Sequence, residues 1–348
     1  MEQESAQSKL IQKVIEPGYC VSCGACVGLC PYFAYYNGTV VIMDRCNRET
    51  GTCIQVCPRI PYERKKLRES LLGREQGPLG TYCDVFAVRA KDPEVRDKGQ
   101  YGGTVSALLI LALERRIIRS AILTGKGDRF SPSGTLARSK TEILSCAGSR
   151  YSASGTLATL NQEIKEGKKG IAVVGLPCQM ESIARRDVTE TGEANLDESI
   201  ALKIGIFCTW ALDYRSLRRF LLEKGIRERP KKYDIPPPPA EIFTITTDNG
   251  IEEFPLSEIR KLVKTGCSLC EDMTGELADI SVGAVEGRPC WNLVFVRNDR
   301  GAHLMELAIS EEILEVEPVP QEDLAHLIEA ARNKKKRAQE TQKALMEE

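Results

Sequence analysis

The spacing of apolar residues divides the chain into a part with little hydrophobic pattern and a part with a regular one. From Thr81 onwards, segments with helix-like spacing alternate with short, continuous apolar runs, which is typical of α/β proteins. Residues 105–118 predict an apolar helix with Thr104 as its N-cap, because a threonine hydroxyl can accept from a free helix amide. Further predicted helices cover residues 154–168, 213–225, 257–264 and 321–348, and predicted strands cover residues 117–123, 170–176, 200–207, 278–285 and 292–296.

Turn residues add two shorter signals to this pattern. Asp248-Asn249-Gly250 between apolar residues 242–247 and 251–254 predicts a β-hairpin. Four prolines at positions 236–239 predict an extended spacer. In the first part of the chain, residues 1–15 predict a short helix or a frayed arm. Residues 16–60 are rich in cysteine and too few to bury a large apolar core.

Composition and charge narrow the class of protein. Of 348 residues, 42% are hydrophobic and 28% charged, as in a soluble globular protein, and the net charge of -1 gives no field that favours nucleic acid. The longest apolar run is far shorter than the roughly 20 residues that span a bilayer. The polar N-terminus carries no signal peptide. We therefore expect a cytoplasmic protein, free or peripheral to a membrane complex, with reduced thiols, no nucleic-acid partner and no membrane span.

Fourteen cysteines in such a chain indicate metal ligands rather than disulfides. The first four and Pro31 follow the C-x2-C-x2-C-x3-C-P spacing of a bacterial-type iron–sulfur ferredoxin, and Cys57-Pro58 repeats its closing step. In two-cluster ferredoxins the fourth ligand of each cluster comes from the other motif. A zinc knuckle is disfavoured because zinc sites lack this closing step. The pattern assigns one [4Fe–4S] cluster to Cys20, Cys23, Cys26 and Cys57.

The second ferredoxin motif lacks one cysteine. Thr50 occupies the position at which the usual C-G-x-C step supplies a ligand. Three thiols suit a [3Fe–4S] cluster, or a [4Fe–4S] cluster with Asp44 or Glu49 as its fourth ligand. The alternative is that this lobe has lost its cluster and that the three cysteines only pack. The three cysteines are Cys30, Cys46 and Cys53.

Four later cysteines form a candidate third cluster site. Cys178 and Cys208 each follow a predicted buried strand, and Cys267 and Cys270 form a C-x2-C pair. Ligands collect at the strand ends of open α/β sheets, so these thiols could meet there. Spacing alone leaves inert packing open for them. It favours packing for Cys83, Cys146 and Cys290. The two histidines, His303 and His326, lie far from every cysteine motif, which disfavours histidine–zinc sites and histidine acid–base chemistry.

Several motifs between residues 81 and 337 occur together in one family of redox proteins. The most specific is Cys267-Ser-Leu-Cys270-Glu-Asp-Met-Thr-Gly-Glu-Leu-Ala-Asp279-Ile-Ser-Val-Gly283. The others are Gly99-Gln-Tyr-Gly102-Gly103-Thr-Val-Ser-Ala-Leu, Gly148-Ser-Arg-Tyr151, Leu176-Pro-Cys178-Gln179 and Ile206-Phe-Cys208. This part of the chain resembles the beta subunit of coenzyme F420-reducing hydrogenases and related F420-linked dehydrogenases. With a ferredoxin unit in front, the layout is similar to the input subunit of methanogen F420H2 dehydrogenase.

The resemblance implies an FAD and one [4Fe–4S] cluster in the α/β part, the latter held by the four later cysteines. It also implies that the turn at residues 102–104 cradles the flavin, and glycine amides at a helix N-terminus suit an anionic diphosphate. The expected flavin contacts are Gly102, Gly103, Thr104, Ser106, Lys126, Ser149, Arg150 and Tyr151.

We therefore expect an α/β (α+β) chain with a small two-cluster ferredoxin-like domain followed by an α/β domain that binds FAD and a [4Fe–4S] cluster. The expected divisions are a ferredoxin domain with an N-terminal arm at 1–62, a linker at 63–80, a flavin-binding part at 81–235, and a part with the C-x2-C pair and a charged helix at 236–348. The basic run at 332–337 is interpreted as a solvated helix face, with docking to a larger complex as the alternative.

The expected function is electron input from reduced coenzyme F420. A hydride would pass to FAD, and single electrons would pass through two or three iron–sulfur clusters to a partner of the heterodisulfide reductase, hydrogenase or membrane dehydrogenase type. No catalytic side chain is expected, because the flavin carries the chemistry. One alternative keeps the flavin but uses NAD(P)H or ferredoxin, although no G-x-G-x-x-G follows a predicted strand. Another is a non-enzymatic electron wire without flavin.

Overall fold

The computed structural model describes residues 4–73, 77–127, 131–189, 196–236, 240–285 and 287–347. The predicted mixed α/β fold class is confirmed: within these ranges the strands form sheets of two, three and eight strands. The strands are β1 (Phe33–Tyr36), β2 (Thr39–Ile42), β3 (Asp84–Ala90), β4 (Ser120–Gly125), β5 (Ser133–Ala137), β6 (Ile171–Gly175), β7 (Ile200–Ile206), β8 (Lys232–Asp234), β9 (Ile242–Thr246), β10 (Ile251–Pro255), β11 (Ile280–Ala284), β12 (Asn292–Val296) and β13 (Leu314–Glu317).

Helices pack on both faces of the large sheet, and short helices also occur in the cysteine-rich unit. The α-helices are α1 (Ala6–Leu10), α2 (Thr52–Val56), α3 (Arg64–Leu72), α4 (Pro93–Lys98), α5 (Thr104–Glu114), α6 (Lys140–Ser145), α7 (Thr156–Lys165), α8 (Pro177–Val188), α9 (Leu196–Ser199), α10 (Tyr214–Glu223), α11 (Leu256–Arg260), α12 (Asp299–Ser310) and α13 (Gln321–Glu347). A π-helical turn (Ile11–Ile15) continues α1, and a 3-10 turn (Thr265–Leu269) precedes Cys270. None of these helices, in the residues described, is long and apolar enough to cross a membrane.

The large sheet has the strand order β13-β3-β12-β11-β7-β6-β4-β5. Its centre, β11-β7-β6-β4, is parallel, and the remaining strands pair antiparallel. Strands β6 and β7 are apolar and largely buried, as continuous hydrophobic runs in a parallel sheet should be. Because they are parallel neighbours, the residues that follow them, including Cys178 and Cys208, emerge at the same edge of the sheet.

Local sequence signals account for several of these elements. The predicted hairpin is confirmed as β9–β10, and Asp213 caps α10 by accepting from the Ser216 amide at 3.0 Å. The prediction of Thr104 as an N-cap is wrong, since Gly103 occupies that position and Thr104 is the first residue of α5. The predicted extension to residue 118 is also wrong. Helix α5 ends at Glu114, and Arg116 then adopts a left-handed φ of 57° that breaks the helix.

Other elements have no counterpart in the predictions. Strands β3, β5 and β13 and helices α4, α6 and α12 were not predicted. Helix α3 lies inside the predicted linker, where Leu67 is buried and Arg68 Nε lies 2.9 Å from Glu276 Oε2. Of the predicted proline spacer, residues 237–239 lie outside the described residues. The divisions at 62, 80 and 235 stay predictions.

The cysteine-rich unit has a small core of its own and packs closely against the α/β part. Its hairpin β1–β2 is antiparallel, and α1 is ordered rather than frayed, because the Gln7 side chain bonds to the amide of Cys46 and the carbonyl of Asp44, each at 2.8 Å. Cys23 joins the apolar core formed around α7 and α8. Asn161 of α7 donates from Nδ2 to the carbonyls of residues 25 and 27 at 2.9 and 2.7 Å.

Candidate functional site

The four later cysteines meet at one cavity at the edge of the large sheet. Cys178 lies in the first turn of α8, directly after β6, and Cys208 follows β7. Cys267 lies in the 3-10 turn, and Cys270 comes directly after it. All four line the same cavity, which we call the four-thiol cavity, together with Cys23, Arg59 and Lys334. The structure thus brings together residues that lie more than ninety positions apart in the sequence.

Burial dominates the chemistry of these thiols. It raises the pKa of Cys178 well above its usual value and that of Cys208 to about 12, and it also raises the pKa of Cys267. Neighbouring thiols raise the pKa further at each of the three. A metal group that binds thiolates must therefore displace protons here and supply positive charge in return.

The first ferredoxin set is also close together. The pKa of Cys26 rises well above its usual value through burial and then through the nearby Cys23, Cys57 and Cys20. Burial, followed by the charge of Cys23, raises the pKa of Cys57 to about 12. Cys23 Sγ lies 3.8 Å from the Ser182 hydroxyl of α8. This set therefore adjoins the four-thiol cavity, to whose wall Cys23 also belongs.

The cysteines of the second ferredoxin set, Cys30, Cys46 and Cys53, are not among the described residues that line the four-thiol cavity. Burial, then Cys30 and Cys46, raise the pKa of Cys53 to about 11. Within the described ranges, no three Cys, His, Asp or Glu side chains converge as they do around a single metal ion. Sets of three or four thiols without histidine have the donor chemistry of iron–sulfur clusters, so the residues present fit such groups.

A second cavity, the basic–aromatic cavity, opens beyond the end of β4. Lys126 follows β4 directly, and Arg229 reaches across to donate to the carbonyls of Lys126 and Gly127. The Tyr151 hydroxyl accepts from the Ile235 amide at 3.1 Å. Burial lowers the pKa of Arg150 and raises that of Tyr233 to about 12. The charged and aromatic residues that line the cavity are Lys126, Arg150, Tyr151, Tyr214, Arg218, Glu228, Arg229, Lys231 and Tyr233.

This lining suits an anionic ligand that carries a flat ring. Five cations and one carboxylate line the space, and Lys231 among them already pairs with Asp248. The remaining positive charge favours phosphate or carboxylate groups. Three tyrosines add aromatic surface to the lining, and the rings of two of them, Tyr151 and Tyr233, pack on Phe243. The donor set therefore fits a flavin nucleotide, and Lys126, Arg150 and Tyr151 are the predicted flavin contacts that lie here.

Two backbone segments separate the two cavities. Ser152 lines the basic–aromatic cavity, and its neighbours Ala153 and Ser154 line the four-thiol cavity. This segment pairs with Leu212 through hydrogen bonds from the Ala153 amide at 3.0 Å and to the Tyr151 carbonyl at 2.8 Å. The cavities therefore share a wall that is one pair of hydrogen-bonded chains thick.

The predicted glycine turn makes different contacts from those expected. A Cβ at Gly103, whose φ is 71°, would lie 2.7 Å from the Val95 carbonyl oxygen, and one at Gly102 would lie 2.6 Å from Asn292 Oδ1. Thr104 Oγ1 donates to that same Asn292 oxygen at 2.9 Å. The glycines thus allow close packing of this chain against itself. Four of the predicted flavin contacts, Gly102, Gly103, Thr104 and Ser106, are absent from the lining of the basic–aromatic cavity, among the residues described.

The remaining predicted contact, Ser149, donates from its amide to Gln100 Oε1 at 3.2 Å. Gln100 in turn donates to the Tyr233 carbonyl at 3.1 Å and to Asp234 Oδ1 at 2.8 Å. The Gly99-Gln-Tyr motif therefore connects the loop at 148–151 to strand β8, at the edge of the basic–aromatic cavity.

Sequence reasoning missed several residues at these cavities. Lys334 is only 4% exposed, so the interpretation of the basic run at 332–337 as a solvated face is wrong at this position. Arg59 could have been found from the sequence, because it directly follows Cys57-Pro58. Arg229 and Tyr233 had none, because folding alone brings them to the cavity. The packing interpretation is wrong for Cys83 and Cys290, which are exposed, and confirmed for Cys146, which is buried.

Comparison with protein families matches two consecutive models to the α/β part. The model for the N-terminal part of the coenzyme F420 hydrogenase/dehydrogenase beta subunit matches residues 85–161, and the model for its C-terminal part matches residues 168–322. The beta subunit of the coenzyme F420 hydrogenase of Methanothermobacter thermautotrophicus is 30% identical over 245 residues, which cover 69% of this chain and 86% of that protein.

Two further relatives extend the match. The F420H2 dehydrogenase of Methanosarcina mazei contains a chain that is 27% identical over 321 residues, 89% of this chain and 88% of its own. A chain of the F420-reducing [NiFe] hydrogenase complex from Methanosarcina barkeri superposes with a TM-score of 0.71 at 28% identity, covering 77% of this chain and 93% of that one. This chain belongs to the family of coenzyme F420 hydrogenase/dehydrogenase beta subunits.

Proposed function

We propose that this chain is the electron-input subunit of an F420-linked oxidoreductase complex and that it oxidises reduced coenzyme F420. The observation that carries the proposal is the shared wall. A cavity suited to an anionic ring system is separated from a four-thiol cavity by only two hydrogen-bonded backbone segments. The names of the relatives support F420 as the donor and other redox subunits as partners.

When bound, FAD would accept a hydride and release single electrons, and iron–sulfur clusters would carry those electrons. We propose Lys126, Arg150 and Tyr151 as flavin-binding residues because they line the basic–aromatic cavity. The glycine turn and Ser149 are weaker candidates, because their polar atoms already bond to other residues of this chain. The proposed cluster ligands are Cys178, Cys208, Cys267 and Cys270 for the four-thiol cavity, Cys20, Cys23, Cys26 and Cys57 for the first ferredoxin set, and Cys30, Cys46 and Cys53 for the second.

The residues of this chain bind, orient and exclude water in this scheme. Lys126 and Arg229 line the basic–aromatic cavity, where their charge would offset that of an anionic ligand. The four-thiol cavity is lined in part by the buried side chains of Cys23, Cys270, Arg59 and Lys334, which limit the access of bulk water.

An anaerobic titration of the reconstituted full chain tests the proposal. We expect the visible flavin absorbance to bleach rapidly with reduced coenzyme F420 and to persist with NADH or NADPH. Bleaching by NADPH alone would support the nicotinamide alternative. Iron-loaded protein that takes up no flavin would contradict both versions of hydride conversion and support the electron wire.

A pair of lysine variants locates the binding site. Lys126→Met removes one cation from the basic–aromatic cavity, and we expect about tenfold weaker binding of flavin or of reduced F420, as for one charge-assisted hydrogen bond. Lys168→Met removes an exposed lysine beyond α7 and should leave both affinities unchanged. Equal affinities in the two variants would place the ligand elsewhere.

A further inference from the structure

Two buried cations face the four-thiol cavity without a role in the scheme so far. Arg59 is 6% exposed and Lys334 is 4% exposed, and both line the cavity. They come from distant parts of the chain. Arg59 directly follows Cys57-Pro58 of the first ferredoxin set, and Lys334 projects from the long C-terminal helix α13.

The hydrogen bonds of Lys334 fix its ammonium group in place. The Asp272 carboxylate, which accepts from the amides of residues 274–276, also acts on its charge. Nζ donates to the Cys208 carbonyl at 2.5 Å and to the Asp272 carbonyl at 2.7 Å. Both acceptors are uncharged backbone oxygens on the segments that carry two of the four thiols. The hydrogen bonds therefore hold the positive charge at a defined place beside Cys208 and Cys270.

Arg59 is held in a similar way. Its Nη1 donates to the Pro58 carbonyl at 2.8 Å, and its buried Nε has no hydrogen-bond partner among the described residues. Burial of a cation costs several kcal/mol unless an anion compensates. The Glu181 carboxylate acts on the charge of Arg59, but it pairs directly with Arg64 and Arg185. Cys270, Cys178 and Cys267 also lie close enough to influence that charge. The natural compensating anion is therefore a thiolate-bound group in the cavity.

We propose that Arg59 and Lys334 are positioning residues that raise the reduction potential of the cluster bound by Cys178, Cys208, Cys267 and Cys270. The proposal rests on the proposed function, since it requires a cluster at this site. One-electron reduction makes the site more negative, and a fixed cation in a medium of low dielectric constant stabilises that added charge. No bond forms or breaks, and neither cation gives up a proton. A higher potential favours the arrival of electrons from the adjoining basic–aromatic cavity.

A spectroscopic redox titration of the iron-loaded full chain tests this inference. Chemical reductants set the potential, so that no F420 is needed, and a Cys267→Ala variant identifies the signal that belongs to this cluster. We expect Arg59→Met and Lys334→Met each to shift its midpoint to a more negative potential. The expected shift is at least a tenfold change in the one-electron equilibrium constant, about 59 mV.

Two control variants separate charge from other effects. Lys336→Met removes the same charge from the same helix, but its side chain is 75% exposed, so solvent screens it and the midpoint should stay unchanged. Arg59→Lys keeps the charge and should retain most of the wild-type potential. The midpoints of the more distant Cys30, Cys46 and Cys53 set should move less than that of the four-thiol site.

The outcomes are distinct. Wild-type midpoints in both methionine variants at full iron content would overturn the inference. If Arg59→Met loses its iron, the midpoint potentials of Lys334→Met and of the more polar Arg59→Gln decide whether the inference holds. Loss of this cluster from every neutral variant would show that the cations hold the cluster rather than tune it, which also overturns the inference. Failure of reduced F420 to reduce the protein would contradict the proposed function alone, because the chemical titration does not depend on it.

Discussion

Glu276 is a carboxyl group at the centre of a buried charge network. Arg68 Nε lies 2.9 Å from its Oε2, a charge contact without hydrogen-bond geometry, and Lys335 Nζ lies 3.6 Å from its Oε1. Asp272 and Arg297 also face it. Burial and then the charge of Asp272 raise the pKa of Glu276 to about 7, against the pull of the cations. The folded chain therefore holds a proton here that the unfolded chain releases near pH 4.5.

This proton makes stability depend on pH. Because the folded-state pKa is above the unfolded value, stability is lost as the pH rises from about 4.5 to about 7, by up to roughly 3 kcal/mol. We expect the unfolding free energy of the wild type to fall between about pH 5 and about pH 8 and that of Glu276→Gln to fall less. Denaturant unfolding at both pH values measures this. An exposed control, Glu322→Gln, should behave like the wild type, and identical slopes in all three proteins would contradict the prediction.

Helix α8 connects the two parts of the molecule through one arginine. Arg185, whose side chain is 1% exposed, donates to the carbonyl of Cys57 and to that of Ile60 at 3.0 and 3.1 Å. It also pairs with Glu181 one turn earlier at 2.8 Å and lies over the ring of Tyr62 at 4.8 Å. The end of the ferredoxin unit is therefore held through two backbone carbonyls and the ring of Tyr62.

We expect Arg185→Met to release this end of the unit. Removal of the guanidinium takes one donor from the Glu181 carboxylate, which keeps Arg64, and from the carbonyls of Cys57 and Ile60, a loss of about 1 to 3 kcal/mol. Limited proteolysis should then cut between residues 57 and 64 at a protease concentration that leaves the wild type intact. Arg219→Met, on the exposed face of α10, provides the control. Equal resistance in both variants would show that other contacts hold the unit.

The hairpin β1–β2 packs tightly against the start of helix α7. A Cβ at Gly155 would lie 2.5 Å from ring carbons of Tyr35, although the φ of -76° would accept any residue. We expect Gly155→Ala to destabilise the chain by about 1 to 3 kcal/mol through overpacking. Tyr35→Leu in the same chain should recover part of the loss, and a double-mutant cycle of melting temperatures would measure the coupling. Purely additive losses would argue against the contact.

Elements with local signals could be predicted, and those made by long-range pairing could not. Strands β6 and β7 are continuous apolar runs, and Asp213 caps its helix with a side chain three residues from its partner. Strand β3 starts with Asp84 and contains Arg89, so its sequence is a weak strand signal. It forms a strand because β12 and β13, more than two hundred residues later, pair with its two sides. Strand propensity depends on such neighbours, which one sequence does not reveal.

The same division applies to the candidate site. Ligand spacing is local in the two ferredoxin sets and in the C-x2-C pair, so these could be proposed from the sequence. Spacing left packing open for Cys178 and Cys208, and the family resemblance joined them to that pair. The buried charge of Lys334 could not, because its neighbours in the run, such as Lys336, are exposed and nothing in the sequence distinguishes them. The glycine turn shows the opposite error. Its sequence suits a phosphate, but Asn292, far along the chain, occupies the position beside its amides.

At the scale of the whole molecule, the number of clusters is a direct prediction. We expect about 11 or 12 iron atoms for each chain, matching three clusters of which one has three thiols. Cys267→Ala should lose about four of these atoms, whereas Cys83→Ala, at an exposed cysteine outside all three sets, should lose none. Iron and sulfide analysis of the reconstituted proteins measures both. About eight iron atoms in the wild type would leave one of the three sets without a cluster.

The wall of the four-thiol cavity that Cys23 and Arg59 provide has a consequence for biosynthesis. The ribosome makes this wall early, but the helices on which it packs, α7 and α8, are made much later. The proposed clusters therefore require seven thiols to stay reduced and free of other metals while the rest of the chain is synthesised. Oxygen present at that stage would damage the unit before it has a place to dock. Anaerobic expression protects the thiols during synthesis, whereas anaerobic purification begins only after synthesis is complete.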